Sequence, residues 1–167
     1  TGVQTCALPI LVIPGQCSVE TITNSTNGAD YVKLQISYNS VAVQTFVQQL
    51  EGMTIVGSSG VTAVVIKAQD NEATDPTTLY VRYVTAGSDG VTKTFSNNEV
   101  IHTSDNLYTF QAASTSATGK GSLATITRGV YYINGHFVLV EDQTIVLDKY
   151  NNTPSYRIGL QITESIK

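Results

Sequence analysis

The chain has 167 residues, with 13 acidic against 9 basic side chains and a formal net charge of −4. Lys and Arg are scattered singly, so neither nucleic acid nor a membrane surface is an expected partner, since either needs a clustered basic patch. No uninterrupted apolar run approaches the roughly 20 residues of a spanning helix. Val, Thr, Ile and Tyr outnumber Ala, Glu, Lys and Leu, which points to an all-β chain of one ordinary domain or two small ones.

Residues 1–10, TGVQTCALPI, read as the translation of a widely used short-read sequencing adapter. They are set aside as a non-native segment, and the chain is expected to be a fragment of an environmental assembly, cut at both ends. Cys17 is then the single native cysteine, and no disulfide framework is expected. A signal-peptide core over residues 7–13 fails because it lacks a basic flank and is interrupted by prolines. The rest divides into 11–51 (N-terminal strands and a short helix), 52–103 (a small barrel-like unit) and 104–167 (an antiparallel hairpin and meander, or sandwich).

In chain order, residues 11–13 run into a Pro14-Gly15 turn, and 16–23 alternate as a strand. Residues 24–30, NSTNGAD, carry turn chemistry. Residues 31–38 read as a half-buried strand with Val32, Leu34, Ile36 and Tyr38 inward. Val43, Phe46, Val47 and Leu50 follow at i, i+3, i+4 and i+7, the one helical spacing in the chain. Gly52 is placed to end that two-turn helix, expected to serve as a plug or connector. From Met53 a Gly-rich β unit begins. It has strands at 53–56, 61–68 and 78–85, turns at 57–60 and 87–90, a polar loop at 70–77, and a closing strand around Glu99-Val100-Ile101. Residues 106–113 form a weaker strand, and 112–121, AASTSATGKG, reads as a mobile exposed loop.

Asn134-Gly135 lies between two apolar runs, and an Asn-Gly pair closes a two-residue type I′ hairpin. That turn sets Ile133 opposite His136, Tyr132 opposite Phe137, Tyr131 opposite Val138 and Val130 opposite Leu139. Both faces are apolar, so burial on both sides is expected, making this hairpin the structural centre. Residues 143–148 form a further strand and 151–154 a turn. Residues 156–164 alternate, with Tyr156, Ile158, Leu160 and Ile162 on one face, a candidate interface.

Chemistry-bearing residues are few. His102 and His136 lack convergent partners and metal spacing. Asp70, Glu72 and Asp75 could offer oxygen ligands to calcium, but the loop lacks the glycine and terminal glutamate of a calcium-binding loop, so it reads as solvated. Glu141 and Asp142 are adjacent on a strand and point to opposite faces, so they cannot flank one glycosidic bond; a hairpin connection accounts for them. Gly119-Lys120-Gly121-Ser122 resembles part of a phosphate loop without its upstream glycine or its strand-loop-helix setting. Cys17 has no histidine beside it. The sequons at Asn24 and Asn151 matter only in a eukaryotic secretory setting. No catalytic, cofactor-binding or metal residue is assigned, and no enzyme activity is expected. Nine tyrosines could stack sugars, although strand positions favour packing uses.

The segments Gly129 to Val138, Gln143 to Tyr150 and Pro154 to Leu160 resemble a family of tailed-bacteriophage virion proteins of the marine type, a domain of unknown function. Its pattern is G-V-Y-Y-[IV]-N-G-x-F-V, then Q-x-I-x-L-D-x-Y, then P-S-Y-R-[IV]-G-L. The unit from Gly52 to Ile101 and the V-I-P-G turn at residues 12–15 are similar to the same family; 112–121 is not. The resemblance implies a structural component of the tail, in the baseplate or a fibre attachment. It also implies other tail proteins as partners and a homo-oligomer of threefold or sixfold symmetry, in a virion assembled in the host cytoplasm. Two other classes stay open: a carbohydrate-binding or adhesin module on a phage or bacterial surface, marked by exposed tyrosines around a groove, and a depolymerase domain, which would need paired carboxylates.

Overall fold

The computed structural model describes residues 29–133, 135–153, 155, 158 and 160, with the backbone alone of 10–13, 17–20 and 133. Its strands are β1 (Ile10–Ile13), β2 (Cys17–Glu20), β3 (Ala29–Lys33), β4 (Ser37–Tyr38), β5 (Val41–Ala42), β6 (Thr54–Gly57), β7 (Thr62–Gln69), β8 (Thr78–Thr85), β9 (Val100–Thr103), β10 (Thr109–Gln111), β11 (Thr118–Ile126), β12 (Gly129–Ile133), β13 (His136–Val140) and β14 (Gln143–Asp148). Among the described residues the chain is mostly strand, as its composition dictates, and no helix reaches seven residues.

Strands β3, β8, β7, β6, β9 and β10 pair in that order, every pairing antiparallel. The sheet curls until its ends meet. Leu34 bridges Ala112, with the Gln35 N–H donating to the Gln111 carbonyl at 2.9 Å and the Ala113 N–H to the Lys33 carbonyl at 2.8 Å. This closure leaves neither end strand with a free edge. Strand alternation fills the interior with Val32, Leu34, Val65, Leu79, Val81, Ile101 and Phe110. A bulge in β7 between Val65 and Lys67 resets the alternation, so that Ala68 and not Lys67 faces inward.

The helical spacing at 43–50 places its side chains correctly but does not make an α-helix. Val43–Thr45 and Val47–Leu50 are two 3-10 turns, parted by Phe46 at φ −136°. Val and Thr contribute little helix propensity, yet Val43, Phe46, Val47 and Leu50 are all buried and plug the barrel. Gly52, at φ +81°, leaves the second turn as expected. The strand expected over 31–38 breaks after Leu34. Ile36 is 70% exposed, and the chain turns back through Asn39 (φ 48°) and Ser40 (φ 66°) to pair β4 with β5. Those two positive φ values are the mark of a type I′ turn.

The expectation of a mobile loop over 112–121 is also corrected. Ala112 and Ala117 are buried, Ser114 to Ser116 are exposed, and Thr118–Gly121 is strand paired with β3. Small residues occur here because the chain passes close to other parts. A Cβ on Gly119 would lie 2.4 Å from the Tyr31 hydroxyl, and one on Gly121 would lie 2.9 Å from Cε1 of Tyr80. Tyr31, Tyr80, Ala29 and Leu123 form a second core on the outer surface of the barrel, flanked by Ile66, Val146 and Tyr150.

Beyond that core the chain forms one long ribbon. The hairpin register is as expected: Ile133 pairs with His136, Tyr132 with Phe137, Tyr131 with Val138 and Val130 with Leu139, and Gly135 has φ +87°. The same register resumes past a corner, from Ile126↔Gln143 to Leu123↔Val146, and slips once at Ser122. Glu141-Asp142 is therefore not a hairpin connection. It faces Thr127-Arg128 across the ribbon, where β13 and β12 leave one sheet and β14 and β11 belong to another. The Asp142 carboxylate accepts the Arg128 N–H there. On the other side of the ribbon, β1 pairs with β12 and β2 with β11, making a three-stranded arm.

Candidate interaction surfaces

The arm is fastened to the barrel at its base. Lys149 reaches Glu72 at 2.8 Å and Asp75 at 3.0 Å, and its ammonium pKa is raised, first by the hydrogen bond to Glu72. The Tyr80 hydroxyl donates to the Lys149 carbonyl at 3.1 Å, and the Tyr150 ring meets Tyr31 edge-on at 5.2 Å. Lys33 sits 3.9 Å above the Tyr150 ring, within cation–π range. Burial pushes the Tyr80 hydroxyl pKa upward, so it stays a neutral donor.

Toward the tip this support ends, and the expectation of a hairpin buried on both faces is wrong. Tyr132 (39% exposed), Phe137 (70%) and Leu139 (46%) share one face, with the Tyr132 and Phe137 rings 5.3 Å apart. Val138, on the opposite face, is 39% exposed, and Ile145 on β14 is 50% exposed. The hairpin's strand neighbour is β1, which lies edge to edge in the same sheet, so it covers neither face. The structural centre is the barrel, and the hairpin is an apolar outrigger. The strand expected at 156–164 lies outside the described residues except Ile158 and Leu160, both exposed.

A second feature is a groove of about 520 Å3 at the plugged end of the barrel. It opens between the β4–β5 turn, the 3-10 turns and the turn joining β9 to β10, and is lined by Tyr38, Asn39, Phe46, Gln49 and Tyr108 among others.

The residues weighed for chemistry are dispersed. His102 lies in β9 with Nδ1 2.9 Å from the Thr103 carbonyl oxygen, and His136 is exposed on the arm. Glu72 and Asp75 hold Lys149, while Asp70 accepts a hydrogen bond from the Gln48 amide at 3.1 Å. Among the described residues no three His, Cys, Asp or Glu side chains are grouped as metal ligands. Gly119 and Gly121 sit under tyrosine rings, which explains the glycines without a phosphate. Cys17 lies in β2, where only the backbone is described.

One buried carboxylate escaped the sequence reading. Glu99, 6% exposed, accepts the Ser59 N–H at 2.9 Å, the Ser59 hydroxyl at 2.6 Å and the Ser96 N–H at 2.7 Å. It locks the 57–60 turn, and Gly57 is required because a Cβ there would stand 2.1 Å from Glu99 Oε1. All four lone-pair directions but one have a protein donor, which is structural use of a carboxylate. Compared with family models, curated proteins and solved structures, the chain matches none of them.

Proposed function

We propose that the chain is a structural component of a bacteriophage tail, in the baseplate or a fibre attachment, acting by assembly and not by catalysis. The resemblance of residues 129–138, 143–150 and 154–160 to tail virion proteins supports the class. The observation that carries the mode of action is the arm, whose exposed Phe137, Leu139 and Tyr132 form a contiguous apolar surface of a kind that marks an interface. Its occupant is a second copy of this chain. A ribbon apolar on both faces is not satisfied by twofold pairing, which covers one face and leaves the other in water. A closed ring, in which each arm lays one face on one neighbour and its second face on the next, covers both. That geometry calls for three or more copies, in keeping with threefold or sixfold tail symmetry.

The class is tested by reading outward along the source contig. Sheath, tube or baseplate genes on either side support a tail protein, and a metabolic operon overturns it.

A further inference from the structure

We propose that the groove at the plugged end of the barrel, remote in sequence from the arm, is a binding site for a neutral saccharide. Its parts are built for presentation. The type I′ turn at Asn39-Ser40 holds up Tyr38 on one wall. In the turn that leads to the other wall, the Asp105 carboxylate accepts the Thr103 hydroxyl and the Leu107 N–H at 3.0 Å, and Asn106 at φ 59° completes a turn that sets out Tyr108. Those same hydrogen bonds hold the Asp105 carboxyl below its usual pKa.

Tyr108 is fixed more firmly than a surface ring needs to be. It lies parallel to Phe46, 4.7 Å between centroids and 8° between planes, and its hydroxyl donates to the Gln49 amide oxygen. Phe46 covers one face of the ring, and both rings line the groove. A rigid ring beside side-chain amides and hydroxyls is the usual makeup of a small-molecule site.

The lining decides the ligand class. None of the groove's lining residues is charged: Asn39, Gln49, Thr45 and Thr109 supply the polar groups, and Val41 and Leu107 the apolar rim. An anionic sugar or phosphate would find no countercharge. A proline-rich peptide would also favour aromatic walls, but it presents carbonyl acceptors with few N–H donors, leaving the amide oxygen of Asn39 without a donor, while that of Gln49 already accepts the Tyr108 hydroxyl. Sugar hydroxyls both donate and accept, matching amides and hydroxyls alike, while the C–H face of a pyranose packs on an aromatic ring.

The test is saturation-transfer NMR on the full chain with maltohexaose, cellohexaose, chitohexaose, hexagalacturonate and a proline decamer as probes. Tyr38→Ala and Tyr108→Ala serve as variants, each checked for an unchanged circular dichroism spectrum. Tyr38→Ala keeps the Phe46–Tyr108 stack, so it reads the groove even if Tyr108→Ala misfolds. The proposal expects at least one neutral oligosaccharide to bind, and Tyr38→Ala to weaken it about tenfold, the scale of a lost ring contact. Silence from all three neutral sugars, binding unchanged in Tyr38→Ala, or preference for hexagalacturonate or the proline decamer would overturn it.

Discussion

Replacing Gly121 by Ala tests how the arm is seated on the barrel. The added Cβ would lie 2.6 Å from the Lys149 carbonyl oxygen, 3.2 Å from that of Asp148 and 2.9 Å from Cε1 of Tyr80. Two of these are backbone atoms, and Tyr80 is fully buried, so none can swing aside. Overpacking of this kind costs about 1–3 kcal/mol. Separating Tyr80 from the Lys149 carbonyl, now 3.1 Å apart, forfeits a hydrogen bond worth about 0.5–1.5 kcal/mol net. Alanine recovers roughly 0.5–1 kcal/mol of the entropy that a strand glycine loses. The net expectation is a destabilisation of about 0.5–4 kcal/mol, centred on about 2, read as a lower urea midpoint at unchanged slope, with faster amide exchange over 145–149. Lys120→Ala, one residue away on the opposite face, removes only a part-exposed ion pair to Asp30 at 2.7 Å and should cost about 0–1 kcal/mol. Gly121→Ala as stable as the unaltered chain, or no worse than Lys120→Ala, would refute the seating.

Glu99→Ala should cost about 2–6 kcal/mol in thermal or urea unfolding, because it strands the Ser59 and Ser96 N–H groups at about 1–3 kcal/mol each. Glu99→Gln should cost less, since its amide oxygen still accepts; equal losses would show that charge and not hydrogen bonding matters. Stability should also fall at alkaline pH. Tyr80 and Tyr83, raised above 10.0 first by burial, and Lys149, raised above 10.5 first by its bond to Glu72, hold their protons more tightly when folded. Each contributes fully below its unfolded pKa and loses that contribution as pH rises through the folded value. The urea midpoint should therefore begin to fall at about pH 10 and keep falling as the pH is raised further, less steeply in Tyr80→Phe, and a flat profile above about pH 10 would contradict these assignments.

How far the sequence discloses this molecule depends on how local each cause is. The Asn134-Gly135 turn and its pairing are legible because a two-residue loop determines its own register, which then runs on through the ribbon to Leu123↔Val146. The inward residues of β8, Leu79, Val81 and Tyr83, are legible by alternation, whereas the bulge at Val65 in β7 is not. Burial of the hairpin was misread because an apolar pattern shows which side chains profit from cover, not whether cover is present. Spacing at 43–50 identified the buried side chains but not the 3-10 form, which the backbone at Phe46 decides. Gly119 and Gly121 look like low complexity until Tyr31 and Tyr80, distant in the chain, are seen against them. Glu99 was missed for the same reason: its partner Ser59 lies forty positions away.

The ring built from apolar arms is tested most directly by the solution mass of the protein, by analytical ultracentrifugation over a range of concentrations. The account predicts a closed assembly of three or more copies, reduced to monomer by Phe137→Ser combined with Leu139→Ser without loss of the folded barrel. A monomer or dimer at every concentration, or an assembly indifferent to that double substitution, would contradict it.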